Sequence, residues 1–203
     1  MVTVDKDQKW HDSSTGQFTT KPAKSVGIID NVEGLFSGQD EPTDRLPDGT
    51  REWRKNGKLH REDGPARIRP DGTEEWYKNG KPHRADGPAV IAPDSRGWYK
   101  NGKLHREDGP AIEGSDGSQR WYVNNKLHRE DGPAIEDPDG SQWWYINNKL
   151  HREDGPAIIE TNGTQHWYKN GERHREDGPA YIGADGTQEY YINGEYRRNL
   201  DPR

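Results

Sequence analysis

Six histidines stand three residues before an aspartate, a spacing that suits acid–base chemistry or metal binding. An imidazole beside a carboxylate is how a general base and its orienting group are arranged, and both residue types are metal ligands. The pairs are His60/Asp63, His83/Asp86, His105/Asp108, His128/Asp131, His151/Asp154 and His174/Asp177. A protein needs an active site once but needs a structural device in every repeat. The recurrence therefore predicts loop packing, with no catalytic residue, no metal site and no cofactor.

These histidines belong to a phrase of about 23 residues that recurs along the chain, D-G-T/S-x-x-W-Y-x-N-G-K-L-H-R-E-D-G-P-A-I. We number its seven occurrences repeats 1 to 7. The aromatic pair of each repeat begins at Trp53, Trp76, Trp98, Trp121, Trp144, Trp167 and Tyr190, and in repeat 1 the second position of the pair is Arg54. A fixed period of this length means that each repeat is one supersecondary unit, which buries its apolar surface only by stacking on its neighbours.

Repeat 2 shows the expected local structure. Residues 73–78 are rich in strand formers, and Asn79-Gly80 tolerates the positive φ of a tight turn. A second strand is expected at 88–92, where a proline is acceptable as the first residue. A third strand at 81–84 stays open, although Pro82 disfavours it. The predicted fold is all-β, an elongated single-layer antiparallel meander of about seven β-hairpin repeats.

Composition narrows the class of protein. Of 203 residues, 27% are hydrophobic and 33% charged, which suits a thin object better than a globule with a thick core. The chain has no cysteine, so it has no disulfide or thiolate site. The net charge of −6 is mixed in sign along every repeat and disfavours nucleic-acid binding. Without a long apolar run, we expect no signal peptide, no membrane partner and a cytoplasmic location.

The repeats divide the chain into residues 1–47 and 48–203. The first part is polar, with apolar patches at 26–29 and 35–36, and is expected to be a partly disordered cap or a partner-binding arm. Repeat 3 is one residue short around 94–97, which predicts a local kink. Repeat 7 lacks the D-G-P-A segment and is expected to cap the array.

The phrase W-Y-x-N-G-K-x-H-R-x-D-G-P-A resembles a variant of the MORN repeat that occurs in bacteria, phages and giant viruses. The resemblance covers about residues 48–198. It implies an extended antiparallel meander used for protein or lipid contact, with no chemistry of its own. The kind of genome in which this variant occurs also suggests an alternative, an inhibitor that binds and blocks a host defence protein.

The position before each aromatic pair does not keep one residue type. It holds Glu52, Glu75, Gly97, Arg120, Trp143, His166 and Glu189. Strand alternation puts these residues on the face of the second aromatic, opposite the tryptophan column. Trp and Arg are favoured at interface hot spots, so a protein partner is expected at Arg120, Trp143, His166, Tyr122, Tyr145 and Tyr168.

The tryptophan column itself is expected to hold neighbouring repeats together. The alternative is an aromatic array that stacks on carbohydrate. The chain is therefore predicted to be a non-enzymatic repeat scaffold for protein–protein interaction, with open sheet edges that also offer a surface for self-association.

Overall fold

The computed structural model describes residues 2–4, 10–12 and 41–198, which fall in two compact units, Met1–Asp40 and Glu41–Arg203. In the first unit Val2–Val4 pairs antiparallel with Trp10–Asp12. The apolar patches at 26–29 and 35–36 lie outside the described residues. All seven repeats lie in the second unit, and we call residues 41–198 the array. No helix of the described residues is long and apolar enough to cross a membrane.

The array is all-β and is built on one antiparallel sheet of 15 strands that follow one another in chain order. Its strands are Asp44–Arg45, Arg51–Glu52, Arg67–Ile68, Glu74–Glu75, Val90–Ile91, Ser95–Gly97, Ile112–Gly114, Gln119–Arg120, Ile135–Glu136, Gln142–Trp143, Ile158–Ile159, Gln165–His166, Tyr181–Ile182, Gln188–Ile192 and Glu195–Arg197. This is the single-layer meander that the repeats predict. Its first strand, Asp44–Arg45, comes from the segment assigned to the N-terminal cap or arm.

Each of repeats 1 to 6 also contains a two-stranded hairpin. The predicted first strand is interrupted at the tryptophan and the third strand that was left open does form, so each repeat has four short strands where two were favoured. The pairs are Arg54–Lys55 with Lys58–Leu59, Tyr77–Lys78 with Lys81–Pro82, Tyr99–Lys100 with Lys103–Leu104, Tyr122–Val123 with Lys126–Leu127, Tyr145–Ile146 with Lys149–Leu150 and Tyr168–Lys169 with Glu172–Arg173.

Pro82 does not prevent the third strand, because its position makes no backbone bond within the hairpin. The equivalent Leu104 turns its N–H and its C=O toward the next repeat, where both bond to Asn125. A proline at this position therefore removes a donor that the hairpin itself does not use.

The turns follow the sequence closely. Asn79 and Gly80 have φ of 53° and 79°, the positive pair that a type I′ hairpin turn requires. Asp71 accepts a hydrogen bond from the Thr73 N–H at 2.8 Å, which fixes the turn between repeats. In repeat 3 the missing residue shortens this turn to Pro93-Asp94, closed by the Ala92 N–H on the Ser95 carbonyl at 2.9 Å. Gly97 still pairs with Val90 and Ile112, so the deletion leaves the register unchanged.

A small buried residue marks the middle of each of repeats 1 to 6. These are Ala66, Ala89, Ala111, Ala134, Ala157 and Ala180, all 0% exposed. Each alanine carbonyl accepts a bond from the N–H of the tryptophan in its repeat, as Ala134 does from Trp121 at 2.8 Å. The alanine thus joins the long sheet to the bend at the tryptophan, where the hairpin begins.

Candidate functional site

The long sheet presents two different faces, and its register defines them. One residue from each of its first 14 strands lies in a single row, since cross-strand partners share a face. The row runs Asp44, Glu52, Arg67, Glu75, Val90, Gly97, Ile112, Arg120, Ile135, Trp143, Ile158, His166, Tyr181 and Glu189. We call it the variable row.

The tyrosine of each aromatic pair lies on the same face, beside the variable row. The Tyr77 hydroxyl donates to Glu75 at 3.0 Å, and the rings of His166 and Tyr168 are stacked with centroids 6.4 Å apart. A Cβ built on Gly97 would lie 2.9 Å from the Tyr99 ring, so the ring occupies the space that a side chain would fill. The variable row and Tyr77, Tyr99, Tyr122, Tyr145, Tyr168 and Tyr191 form the variable face.

The structure brings all six residues of the predicted partner-binding set onto the variable face, and all six are half-buried. Trp143 stands between Ile135 and Ile158 in the register, two strands from Arg120 on one side and from His166 on the other. At the usual strand spacing that is about 10 Å in each direction. Burial raises the pKa of Tyr145, and the neighbouring hydroxyls of Tyr168 and Tyr122 add to the effect, as expected of a close row of tyrosines.

The central part of the variable face is apolar. From Val90 to Ile158 the only charged member of the variable row is Arg120, which donates to Asp137 at 3.2 Å. Leucines from the hairpins adjoin this stretch, opposite their tyrosines: Leu104 faces Tyr99, Leu127 faces Tyr122, and Leu150 faces Tyr145. We call the part of the variable face from Val90 to Ile158, with these three leucines, the apolar window.

A buried ionic network closes the variable face at its N-terminal end. Glu52 is only 1% exposed and accepts hydrogen bonds from Arg54 at 3.0 Å and Arg67 at 2.8 Å. Arg67 also donates to Glu75 at 3.2 Å, and Arg69 donates to Glu75 at 2.8 Å. Burial opposes ionisation of Glu52, but the bonds from Arg67 and Arg54 outweigh it and lower the pKa of this carboxyl. These charges satisfy one another and leave little for a partner.

A second network closes the C-terminal end, around an arginine in a position where most repeats carry leucine. Arg173 donates to Glu189 at 3.1 Å and to the Tyr168 hydroxyl at 3.2 Å. Its guanidinium lies 5.3 Å from the ring centroids of both Tyr181 and Tyr191. It also approaches His166 Nδ1 at 3.3 Å, and His166 Nε2 lies 3.3 Å from Glu160. Since a guanidinium only donates, His166 accepts at Nδ1 and carries its proton on Nε2.

The opposite face repeats one motif with little change, and we call it the arginine face. In each of repeats 1 to 6 the arginine of the H-R-E/A-D segment stacks on the tryptophan, 4.1–4.3 Å from guanidinium carbon to ring centroid. Arg129, for example, covers Trp121 and also donates to Asp131 at 3.0 Å and to the Pro133 carbonyl at 3.1 Å. The tryptophans of repeats 2 to 6 are half-buried, and only Trp53 is buried. The column is thus a ladder of Trp–Arg stacks that locks each loop onto its own repeat.

The six recurrent histidines connect neighbouring repeats. Nδ1 of each accepts the backbone N–H of the turn asparagine in the next repeat, as His60 does from Asn79 at 3.1 Å and His151 from Asn170 at 3.1 Å. An accepting Nδ1 places the proton on Nε2, which in His105 lies 3.1 Å from Glu107. The aspartate three residues on bonds the arginine instead of the histidine. The His-Asp spacing therefore reflects two separate packing contacts, as the six-fold recurrence suggested.

Part of the site is missing from the sequence prediction. Ile112, Ile135 and Ile158 supply every second member of the central variable row, and Arg173 holds the C-terminal network. The residue after each G-P-A varies (Arg67, Val90, Ile112, Ile135, Ile158 and Tyr181), which is the signal that would have revealed the row. Among the described residues, no group of three or more His, Cys, Asp or Glu could hold a metal ion.

Comparison with known proteins adds no assignment, because the chain matches no protein-family model and no curated protein.

Proposed function

We propose that this chain is a non-enzymatic, MORN-like repeat scaffold that binds a partner protein through the apolar window of its variable face. The observation that carries the proposal is the difference between the two faces of one sheet. The arginine face meets the same structural need in every repeat. The variable face differs from repeat to repeat while its register is kept, as expected of a regular scaffold that carries a specific surface.

The apolar window has the composition of an interface centre. It combines Trp143, tyrosines and aliphatic side chains around a single arginine, and it is flanked at both ends by charges that already have partners. Interface cores are depleted in charge and enriched in aromatic residues and arginine. Partner contact would complete the burial of these half-exposed side chains.

Trp143 is the predicted hot spot of this surface. It is the only tryptophan on the variable face, and Ile135 and Ile158 are its cross-strand neighbours on either side. Arg120 and His166 stand two strands away in the same row and would fix the register of the partner.

The use of every recurrent histidine in an inter-repeat contact supports a non-enzymatic role. A general base needs a free nitrogen within reach of substrate. In these six residues Nδ1 accepts a backbone N–H, and in five of them Nε2 lies within 3.6 Å of a glutamate. The carbohydrate alternative receives less support, because an arginine occupies one ring face of each tryptophan in the column.

The test is affinity capture of the partner followed by titration with matched variants. Trp143→Ala should weaken binding by about 2 kcal/mol or more, as truncation of a hot spot does. Because Trp143 is half-buried, the same change should lower the free energy of unfolding by only about 1 kcal/mol. Gln142→Ala, the adjacent residue on the arginine face, is the control and should leave binding unchanged. If Trp143→Ala binds the partner as tightly as Gln142→Ala does, the partner does not bind at the variable face.

A further inference from the structure

We infer that the open edge at Glu195–Arg197 pairs with the same strand of a second molecule, in a two-fold antiparallel dimer. This strand is the last of the long sheet, and on its outer side no described strand follows it. The inference does not depend on the proposed function, because it rests on the edge and not on the variable face.

The two ends of the array differ in how their edges are covered. At the N-terminal end, Thr43 receives the Arg54 N–H at 2.9 Å and its hydroxyl reaches the Arg54 carbonyl at 3.5 Å. In later repeats the equivalent tyrosine carbonyl bonds the preceding repeat, as Tyr77 does with the Arg61 N–H at 3.2 Å. Thr43 therefore substitutes for a preceding repeat.

At the C-terminal end, the backbone of Tyr196 points outward. Tyr196 pairs with Tyr191 as Leu104 pairs with Tyr99, and the N–H and C=O of Leu104 both bond the next repeat. Tyr196 is 59% exposed, the largest value among the exposed large hydrophobic residues of the described chain. An outward donor and acceptor with an exposed aromatic ring form a template for strand addition.

The side chains of this edge are complementary to a second molecule in one register. A two-fold axis at Tyr196 lets the two Tyr196 residues exchange N–H···O=C bonds, the hydrogen-bonded pair of an antiparallel ladder. Glu195 of each molecule then faces Arg197 of the other across the ladder. Within one strand these two residues already attract, with Arg197 Nη2 at 2.9 Å from Glu195. A head-to-tail contact with Asp44–Arg45 has no such symmetry.

Such a dimer would present two variable faces on the same side of one continuous sheet. Tyr191 and Tyr196 are in edge contact, with centroids 5.5 Å apart, so Tyr196 lies on the variable face. A two-fold axis perpendicular to the sheet keeps both variable faces on one side, which would make the scaffold bivalent toward a repeated partner.

The test is sedimentation equilibrium of the full chain over a concentration series that reaches roughly 1 mM, because a three-residue strand makes a weak interface. The expected result is a monomer–dimer equilibrium. Glu195→Arg and Arg197→Glu should each weaken dimerisation about tenfold, since each puts like charges opposite one another twice.

Mixing the two single variants should restore the dimer as a heterodimer, because every facing pair is then opposite in charge. The doubly exchanged chain, E195R with R197E, should restore the homodimer and also keeps the pair within the strand. A chain that stays monomeric over the whole concentration series would overturn the inference. Dimers that the single variants do not weaken, or that mixing does not restore, would overturn the two-fold register.

Discussion

The arginine face and the variable face share the same strands but respond differently to repetition. On the arginine face, each of repeats 1 to 6 carries the same Trp–Arg stack, with spacings that differ by at most 0.2 Å. On the variable face, the row passes from an ionic network through the apolar window to a network around Arg173. Cohesion is needed in every repeat, so its contacts recur, whereas the recognition that we propose for the variable face is needed at one place and so does not recur.

The two ends of the variable face differ from its centre, because their ionic networks stabilise the fold. Arg67→Met should lower the free energy of unfolding by about 3–4 kcal/mol, because it removes a partner of a carboxylate that is 1% exposed. Chemical denaturation measures the loss. Arg51→Met, an exposed neighbour on the arginine face, should stay within about 0.5 kcal/mol. A loss below about 1 kcal/mol for Arg67→Met would make this end open to a partner as well.

Trp121 and Tyr122 allow a direct comparison of the two faces, because they are adjacent in the chain and lie on opposite faces of one repeat. Trp121→Ala should cost about 2–3 kcal/mol, less than a fully buried tryptophan because the ring is half-buried, but more than Trp143→Ala because the stack with Arg129 is also lost. Tyr122→Ala should cost about 1 kcal/mol and act mainly on binding. If denaturant unfolding gave Tyr122→Ala the larger loss, cohesion would belong to the variable face.

The second position of the hairpin turn holds asparagine in some repeats and glycine in others, so exchanging the two residues should change the stability by a smaller amount. Asn148 accepts the Leu127 N–H of the preceding repeat at 2.7 Å, so Asn148→Gly should cost about 0.5–1 kcal/mol. Gly171 occupies the same turn position in the next repeat, with φ of 91°, and a Cβ there would meet Lys149 at an ordinary 3.7 Å. Gly171→Asn would offer the same bond to the Leu150 N–H, but a φ of 91° strains any side chain, so the melting temperature should fall slightly. An increase would show that the asparagine bond outweighs the backbone strain.

The smallest effect is the response of the arginine face to acid. The bond from Arg129 lowers the pKa of Asp131, and equivalent arginines lower the pKa of Asp86, Asp108, Asp154 and Asp177. A lowered folded-state pKa stabilises above the unfolded value and is lost as pH falls through the folded value. The melting temperature should thus be flat near neutrality and fall below about pH 4, with a shallower fall in Asp131→Asn. A decline centred near pH 6 would implicate the histidines instead.

The sequence predicted features that lie within one repeat, but it did not predict the contacts between repeats. The repeat length follows from comparison of the seven repeats. The strands next to each aromatic pair, the Asn-Gly turns and the opposite facing of Trp143 and Trp144 follow from local alternation and turn chemistry. These depend on residues close together in the chain, so one repeat is enough to derive them.

Contacts between repeats were decided by the tertiary structure. The bond from Asn79 to His60 and the place of Ile135 beside Trp143 join residues of different repeats. The strand at Lys81–Pro82 pairs within its own repeat, but the Pro82 carbonyl also accepts the Gly102 N–H of the next repeat at 2.8 Å. The buried Glu52 network and the Arg173 network likewise form only when the second strand of a repeat lies beside the next. The sequence alone determines the unit and its two faces, because alternation is a local property. The contacts that each face makes are determined by how the repeats pack on one another, because hydrogen bonds and ion pairs depend on which side chains the register brings within reach.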